Sequence, residues 1–396
     1  MTRREWLTLA AATPLAKAAP WMQETVKPAP VSPVAIAKTS TYDNNEVTSA
    51  LATMFDELGG IENLVRNKTV TMKLNLTNAP NQRLNGLSPS LTHWVHPAVC
   101  GAATYLFGKA GAKRIRIVES EYNSLEPLED FVTKGDWDVK AIQNAAKNVE
   151  FENTINLGLG KKYSRLPVGA GAYMFPAWDM NHSYEETDVF VSIGKMKNHS
   201  ITGITLSMKN LFGCLPSSIY GGDAGENEPN EGARNIRVAV GHNGNRPPSK
   251  SSPGEINFGA NHDPGYRMPR IIVDLVAARP IHLAIIDGIQ AMAGGEVPRA
   301  GMPRTSPGVL LAGFNPVCTD TVGAAVMGYN PRAARGEPGF PRGDNTFALG
   351  EQRGLGSTDL KRIEVRGVPI EKALYSYEAV RAAAPAQPAP APRPPA

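Results

Sequence analysis

The chain has few cysteines, and their spacing argues against a cluster of metal-binding thiolates. Its three cysteines, Cys100, Cys214 and Cys318, lie more than a hundred residues apart, and none belongs to a CxxC motif. We therefore expect no iron–sulfur cluster ligated by this chain and no cysteine-rich zinc site. Cys100 and Cys318 fall in apolar helical patterns that are typical of buried thiols, although one disulfide would be compatible with an oxidising compartment.

Long apolar runs and concentrated positive charge are also missing. No stretch reaches the roughly 18 consecutive apolar residues that a membrane-spanning helix requires, so the chain is not expected to be embedded in a membrane. The net charge of +4 is spread along the whole sequence. Because nucleic-acid binders usually gather their basic residues into one stripe, often with interleaved aromatic residues, we expect no nucleic-acid partner.

The two ends of the sequence differ in composition from its middle. Arg3 and Arg4 precede a short apolar stretch, residues 7–15, and small residues follow up to Ala18. This pattern predicts a twin-arginine signal peptide over residues 1–18 and therefore a periplasmic or exported protein. A frayed N-terminal helix is the alternative. Residues 383–396 are almost entirely proline and alanine and predict a disordered tail.

Strand-like and helix-like patterns alternate between these ends. The candidate strands are Val70–Leu76, Arg114–Glu119, Val149–Ile155, Val189–Lys195, His282–Asp287, Gly308–Ala312 and Arg362–Val365. The candidate helices are Glu46–Leu58, Pro97–Ala110, Val139–Lys147, Pro269–Ala278, Pro316–Met327 and Ile370–Ala382. The pattern predicts a single α/β domain over residues 34–382, with a mostly parallel sheet and helices on both faces. Short runs around Leu166 and Tyr173 predict additional antiparallel strands.

Residues 214–268 interrupt this alternation with many glycines and prolines. The segment predicts a long irregular excursion rather than a second domain. Loops of this length in compact proteins are usually lids or binding loops, or are partly disordered.

Polar side chains stand at the ends of four predicted strands. Lys73 and Asn75 share one face of the first strand, Glu119 ends the second, Lys195 and Lys197 follow the fourth, and Asp287 ends the fifth. The carboxyl ends of parallel strands meet at one edge of a sheet, where ligands bind. A lysine inside an α/β layer is costly unless it is paired or faces a ligand. The pattern therefore predicts a lysine-rich site for an anionic small molecule or a phosphate-bearing cofactor, although strand ends also reach solvent in ordinary proteins.

The segment 188–213 concentrates cationic and hydroxyl donors with almost no acidic residue. If residues 205–212 form a helix, Thr205 and Lys209 share a face with Thr202, and the amides at the helix start favour an anion. Lys209 has an alternative structural interpretation as a side chain that extends along apolar surface at a helix end. Close packing of lysines would lower their pKa values, so that one of them could act as a base.

Metal-binding residues are less clearly indicated. A site formed by His93, His96 and His199 is conceivable, although helix capping or packing explains such histidines more often. Glu119, Asp287 and Asp320 are candidate carboxylates for a divalent metal. Asp320 also has an ordinary interpretation as an acid near the start of a helix. No GxxxxGK[ST] phosphate loop and no GxSxG elbow of a serine hydrolase occurs.

The segment IGKMKNHSITGITLSMKNLFGCLP resembles the signature of the domain of unknown function 362 family. In that family a K-x-K-x-H segment leads to T-G-x-T and then to K-N-L-F-G. Further matching stretches are MKLNL, THWVHPAVCGAATYLFGKAGAKRIRIVES, IIDGIQAMAGGEVPRAG and GVLLAGFNPVCTDTVGAAVMGYNP, in order over residues 34–366. Some members resemble fusions to ferredoxin-type cysteine clusters, which implies a redox association, but this chain has no such cluster. The resemblance implies these site positions: Lys73, Asn75, Lys195, Lys197, His199, Thr202, Thr205, Lys209, Asn210, Asp287 and Asp320.

Two hypotheses follow from the sequence. The first is an exported, enzyme-like protein with Lys195, His199 and Asp287 as catalytic candidates. In this hypothesis His199 carries protons, and Asp287 acts as a base or a metal ligand. Its ligand-binding candidates are Lys73, Asn75, Lys197, Thr202, Thr205, Lys209 and Asn210. The second is a non-catalytic periplasmic binding or redox-accessory protein that docks a redox partner protein through the glycine-rich excursion.

Overall fold

The computed structural model describes residues 28–384, and its centre is an eight-stranded sheet. The order of strands across the sheet is β14-β1-β13-β10-β7-β2-β3-β4. The strands are β1 (Val34–Lys38), β2 (Thr69–Lys73), β3 (Arg114–Glu119), β4 (Val149–Asn153), β5 (Ser164–Pro167), β6 (Ala177–Met180), β7 (Val189–Lys195), β8 (Lys197–His199), β9 (Gly203–Thr205), β10 (Leu283–Gly288), β11 (Ala291–Met292), β12 (Arg304–Thr305), β13 (Val309–Gly313) and β14 (Val365–Gly367). Every neighbouring pair in the large sheet is parallel except the two pairs that β13 makes with β1 and β10.

Helices cover both faces of the sheet. They are α1 (Asn44–Glu57), α2 (Glu62–Val65), α3 (Pro97–Lys109), α4 (Leu128–Thr133), α5 (Val139–Gln143), α6 (Ser207–Asn210), α7 (Ser217–Tyr220), α8 (Pro264–Ala278), α9 (Pro316–Val326), α10 (Thr346–Gln352), α11 (Ile370–Ala373) and α12 (Tyr377–Ala383). On one face, the sheet residues Met72 and Ile193 pack in a core with Leu51 of α1 and Phe107 of α3. On the other face, a second core contains residues of α6, α8 and α9. The predicted α/β class, with a mostly parallel sheet, is confirmed.

Local sequence accounts for the ends of the principal helices. The Asp43 carboxylate accepts hydrogen bonds from the amides of Asn45 and Glu46 and so caps α1. In α3, Pro97 occupies the first turn, where its missing amide hydrogen carries no cost. The first turn of α9 is capped by Asn315, which accepts from the amide of Cys318.

Some predicted elements differ from the structure. Residues 205–212 are not one helix, because Thr205 ends β9 and α6 begins only at Ser207. Helix α8 begins at Pro264, five positions before the predicted start, and contains Pro269. The helix predicted over residues 370–382 is interrupted between α11 and α12. Strand β1, which lies next to the edge strand β14, is not among the strands predicted from the sequence.

The glycine-rich excursion lies against the carboxyl edge of the sheet. Within residues 214–268 the regular structure comprises the end of a 3-10 turn at Cys214, α7, a π-helical turn at Val238–His242 and the start of α8. Within residues 28–384, none of the helices has both the length and the apolar character that crossing a membrane requires. The predicted signal peptide lies outside the described residues, as does the proline-rich tail beyond residue 384.

Candidate phosphate-binding site

A small polar cavity lies at the carboxyl edge of β2 and β3. Its volume is about 110 Å³. We call it the rim cavity, and its charged and amide-bearing lining residues are Lys73, Asn75, Asn78, Glu119, Lys209, Asn210 and Arg237. Five of these seven, all except Asn78 and Arg237, were predicted from the sequence as site residues, and the structure brings those five together.

Lys73 and Glu119 form a buried ion pair in the wall of the rim cavity. The Lys73 Nζ to Glu119 Oε1 distance is 2.5 Å, and the side chains are only 1% and 4% exposed. Glu119 also accepts hydrogen bonds from the amides of Leu76 and Ser120, at 2.8 and 2.9 Å. Its charge is therefore fully balanced by neighbouring groups.

Asn210 links the strand ends to α6. Its Nδ2 donates to the Lys73 carbonyl and to Ser192 Oγ, both at 3.0 Å. Its Oδ1 accepts from Lys73 Nζ at 3.1 Å and from Asn75 Nδ2 at 3.3 Å. The Oδ1 atom of Asn75 is buried without a hydrogen-bond partner among the described residues. Asn210 thus fixes the position of Lys73, whose ammonium hydrogens are all used within the protein.

Lys209 differs from Lys73 because no carboxylate in the described part of the chain lies within ion-pair distance of it. Its Nζ lies 4.9 Å from the centre of the Phe212 ring, a cation–π contact. Burial lowers the pKa of Lys209 to about 8, with Arg237 and Lys73 acting in the same direction and Glu296 opposing them. Lys209 therefore presents free donors to the rim cavity.

Arg237 is the charged lining residue that sequence reasoning missed. It belongs to the excursion and reaches back to the strand ends, where its Nη1 donates to Ser120 Oγ at 2.9 Å and to the Leu215 carbonyl at 3.0 Å. Its Nε is buried without an acceptor among the described residues. No strand pattern surrounds this arginine in the sequence, so only its place in a long loop at the sheet edge could have indicated it.

Gly213 packs closely against the Lys73–Glu119 ion pair. A β-carbon at this position would lie 2.7 Å from Lys73 Nζ and 3.0 Å from Glu119 Oε1. A larger residue here would therefore displace the buried ion pair, which the glycine leaves in place.

Lys195 and Asp287 form a second buried ion pair, on the opposite face of the sheet. They are partners across β7 and β10, their Nζ to Oδ2 distance is 2.9 Å, and both side chains are 0% exposed. Lys195 also donates to Tyr42 Oη at 2.9 Å and to the Ser90 carbonyl at 3.0 Å, and Tyr42 Oη donates to Asp287. This network satisfies its own members without a ligand.

Lys197 contacts a residue that lines the rim cavity. Its Nζ donates to the His93 carbonyl at 2.6 Å and to Thr77 Oγ1 at 3.0 Å, and Thr77 also lines the rim cavity. Burial lowers the pKa of Lys197 well below its usual range. Thr77 therefore connects Lys197 to the cavity, although the ammonium itself is fully buried.

The family model described as "Domain of unknown function (DUF362)" matches residues 70–325 of this chain. The chain belongs to the domain of unknown function 362 family. The predicted resemblance is thereby confirmed. A relative in this family is the thylakoid-associated protein of Synechocystis sp., which is 24% identical over 361 residues, or 86% of this chain and 90% of that protein.

A crystal structure of a Thermotoga maritima protein is also similar to this chain. The similarity covers 70% of this chain and 57% of that one, with a TM-score of 0.35 and 13% identity. The chain thus spans little more than half the length of that protein. A TM-score this low carries no argument about fold or function.

The threonines of the family's T-G-x-T motif lie in the β8–β9 hairpin and not on the lysine-bearing helix. Thr202 is buried, and its Oγ1 donates to the Ile204 carbonyl at 3.5 Å. Thr205 is buried with its hydroxyl unpaired among the described residues. Neither threonine lines the rim cavity.

His199, the histidine of the K-x-K-x-H motif, caps the turn that follows it. Its Nδ1 accepts from the amides of Ile201 and Thr202, at 3.1 and 3.2 Å. Burial lowers its pKa well below the usual range. Glu296 lies 4.0 Å from the ring and accepts two hydrogen bonds from Ser200. Because Nδ1 accepts the two amide hydrogen bonds, Nε2 carries the ring proton of the neutral imidazole and makes no hydrogen bond within residues 28–384.

The three candidate metal-binding carboxylates lie apart in separate networks. Asp320 is buried in α9 and accepts from the amides of Ser207 and Met208, so that it caps α6. Burial raises its pKa to about 7. Glu119 and Asp287 each pair with their own lysine. Residues 28–384 contain no group of three or more histidine, cysteine, aspartate or glutamate side chains suited to hold a metal ion.

The other two histidines of the predicted metal site, His93 and His96, also make local contacts. His96 accepts from the Ala98 amide at the start of α3, and its ring stacks on Tyr42 with a centroid distance of 3.6 Å. His93 contacts Thr92 Oγ1 through Nδ1, while its Nε2 is buried without a partner among the described residues. These contacts match the capping and packing alternative rather than a shared metal site.

Proposed function

We propose that the rim cavity binds a phosphate group. The observation that carries this proposal is its charge: Lys73, Lys209 and Arg237 line it together with a single carboxylate, Glu119. Because Glu119 is already paired with Lys73, two positive charges face the cavity without a counter-charge. A phosphoryl group carries close to two negative charges at neutral pH and offers three acceptor oxygens.

The donors that remain free suit the same ligand. Lys209 contacts the Phe212 ring and has no carboxylate at ion-pair distance among the described residues, and Arg237 keeps its buried Nε without an acceptor there. Hydrogen bonds between ionised partners are roughly twice as strong as neutral ones, and both lysine and arginine recognise phosphate in proteins. Lys73 offers the ligand neither a free hydrogen nor an uncompensated charge, since its ammonium is saturated and paired with Glu119.

The size of the rim cavity limits what it can hold. At about 110 Å³ it is smaller than the roughly 300–1,000 Å³ pockets that enclose drug-sized ligands. It therefore fits an inorganic phosphate or the phosphate end of a larger molecule. The Lys195–Asp287 pair lies on the other face of the sheet and is not part of the proposed site.

Replacing Lys209 by methionine tests this proposal. Methionine keeps an unbranched apolar side chain near Phe212 but removes the ammonium, so phosphate affinity should fall by about tenfold or more, the range of one or two charge-assisted hydrogen bonds. Isothermal titration calorimetry with inorganic phosphate measures the affinity of both proteins.

Lys113→Met is the matched control. Lys113 is exposed and directly precedes β3, at the opposite edge of the sheet. Its replacement should leave phosphate affinity unchanged. Absence of phosphate binding to the unmodified protein, or equal loss in both variants, would contradict the proposal.

We further propose that the protein is exported by the twin-arginine route. The paired arginines Arg3 and Arg4 support this proposal. The Synechocystis relative is described as thylakoid-associated, which is a property of that protein. Replacing both arginines by lysine should retain the precursor in the cytoplasm of a bacterial host, whereas Lys17→Arg should not. Fractionation followed by immunoblotting measures the outcome, and equal export of the double variant would contradict it.

A further inference from the structure

A second and larger cavity adjoins the rim cavity. It has a volume of about 490 Å³, and we call it the side cavity. Tyr122 lines both cavities, and the loop after β2 passes from Asn78 in the wall of the first to Ala79 in the wall of the second. The two spaces therefore lie side by side, with Tyr122 lining both of them.

The lining of the side cavity is suited to an uncharged ring. Ala79, Pro80 and Tyr122 provide accessible apolar surface, whereas Phe131 is only 1% exposed and stacks on Trp94 in the core. A partly exposed aromatic side chain such as Tyr122 favours stacked or edge-on contact with another ring.

The charged residues of the side cavity are already paired. Arg83 donates to both carboxylate oxygens of Asp136, at 2.8 and 3.0 Å, and Lys134 forms an ion pair with Glu126. The charged side chains that line the side cavity therefore offer a ligand no unpaired charge. In contrast, two positive charges remain uncompensated in the rim cavity.

From this division we infer that the protein binds a small aromatic molecule that carries a phosphate group. The phosphate occupies the rim cavity, and the ring lies in the side cavity against Tyr122. The volume of the side cavity falls within the usual range for small-molecule sites, whereas that of the rim cavity alone does not. This inference rests on the proposed function and adds the chemical class of the ligand.

The test compares phenylphosphonate with inorganic phosphate as calorimetric probes. With the unmodified protein, phenylphosphonate should bind about tenfold more tightly, which is within the range that stacking on one aromatic side chain contributes. In Tyr122→Ala the ratio of the two affinities should fall close to one. In Tyr122→Phe, which retains the ring, the ratio should persist.

The outcomes separate the two proposals. If phosphate binds but phenylphosphonate binds no better, the ring site is wrong and the phosphate site stands. If neither probe binds, the phosphate site fails and the ring site fails with it. A tenfold preference that survives Tyr122→Ala would also overturn the inference, because the ring would then lie elsewhere.

Discussion

Replacing Lys195 by methionine should lower the free energy of unfolding by about 3–5 kcal/mol, the cost of leaving a buried charge without its partner. Asp287 would remain at a position that is 0% exposed, among Tyr42 Oη and the His96 amide. These donors offset part of the cost but do not supply a counter-charge. Urea unfolding followed by circular dichroism measures the change.

The control for Lys195 is an ion pair of similar length on the surface. Lys250 and Glu226 lie 2.8 Å apart but are 63% and 73% exposed. Lys250→Met should cost less than about 1 kcal/mol, because water already solvates both charges. If Lys195→Met were as mild as Lys250→Met while ligand binding disappeared, Lys195 would belong to a functional site, as the sequence had suggested.

Phosphate affinity should fall as the pH rises from 7 to 10. Burial lowers the pKa of Lys209 to about 8, so its ammonium is charged below that pH and neutral above it. The phosphoryl group is already dianionic over most of this pH range, so the loss of affinity reflects deprotonation of Lys209. The decrease should reach about tenfold or more, which equals the loss expected for Lys209→Met, since both remove the same charge.

The pH dependence also has an internal control. Lys209→Met should bind phosphate weakly at both pH values, with no step near pH 8. A step of the same size in Lys209→Met would assign the titration to another group and remove Lys209 from the site. Calorimetric titrations at half-unit pH intervals would show either result.

Much of the fold could be predicted because the strands have strong local signals. The bounds of β3 and β7 agree with the sequence prediction, since runs of apolar, β-branched residues end there in a charged residue. The reversed direction of β13 could not be predicted, because strand patterns do not carry direction. The excursion was recognised as irregular from its glycines and prolines, but its path could not be.

The candidate site could be predicted only in part. The rule that strand ends converge led to Lys73, Asn75 and Glu119, which do line one cavity. Lys209 and Asn210, which were predicted from the segment 188–213 and the family resemblance, line the same cavity. The same rule grouped Lys195 with them, although the alternation of side chains along β7 directs Lys195 to the other face. The sequence could place Lys73 and Lys195 at the same edge of the sheet. It could not show that Asp287 in β10 already neutralises Lys195.

Arg237 belongs to the glycine-rich excursion and also lines the rim cavity, so deleting the excursion cannot separate the partner-docking hypothesis from the ligand-binding hypothesis. Deleting residues 221–254 would remove the segment that the second hypothesis assigns to partner docking, and it would also remove Arg237 from the rim cavity. Loss of a partner and loss of a ligand would then coincide. The single substitution Arg237→Gln leaves the rest of the excursion in place and is therefore the sharper variant.

The rim cavity is assembled from segments that are remote in the chain. Lys73 contacts Asn210 across 137 positions, and Arg237 contacts Ser120 across 117. Contacts between such distant positions require the closure of long loops and form late. A partly folded chain therefore has no rim cavity, and an anion that binds there stabilises only the finished molecule. Occupancy of the rim cavity by an anion would consequently report that the chain has completed its folding.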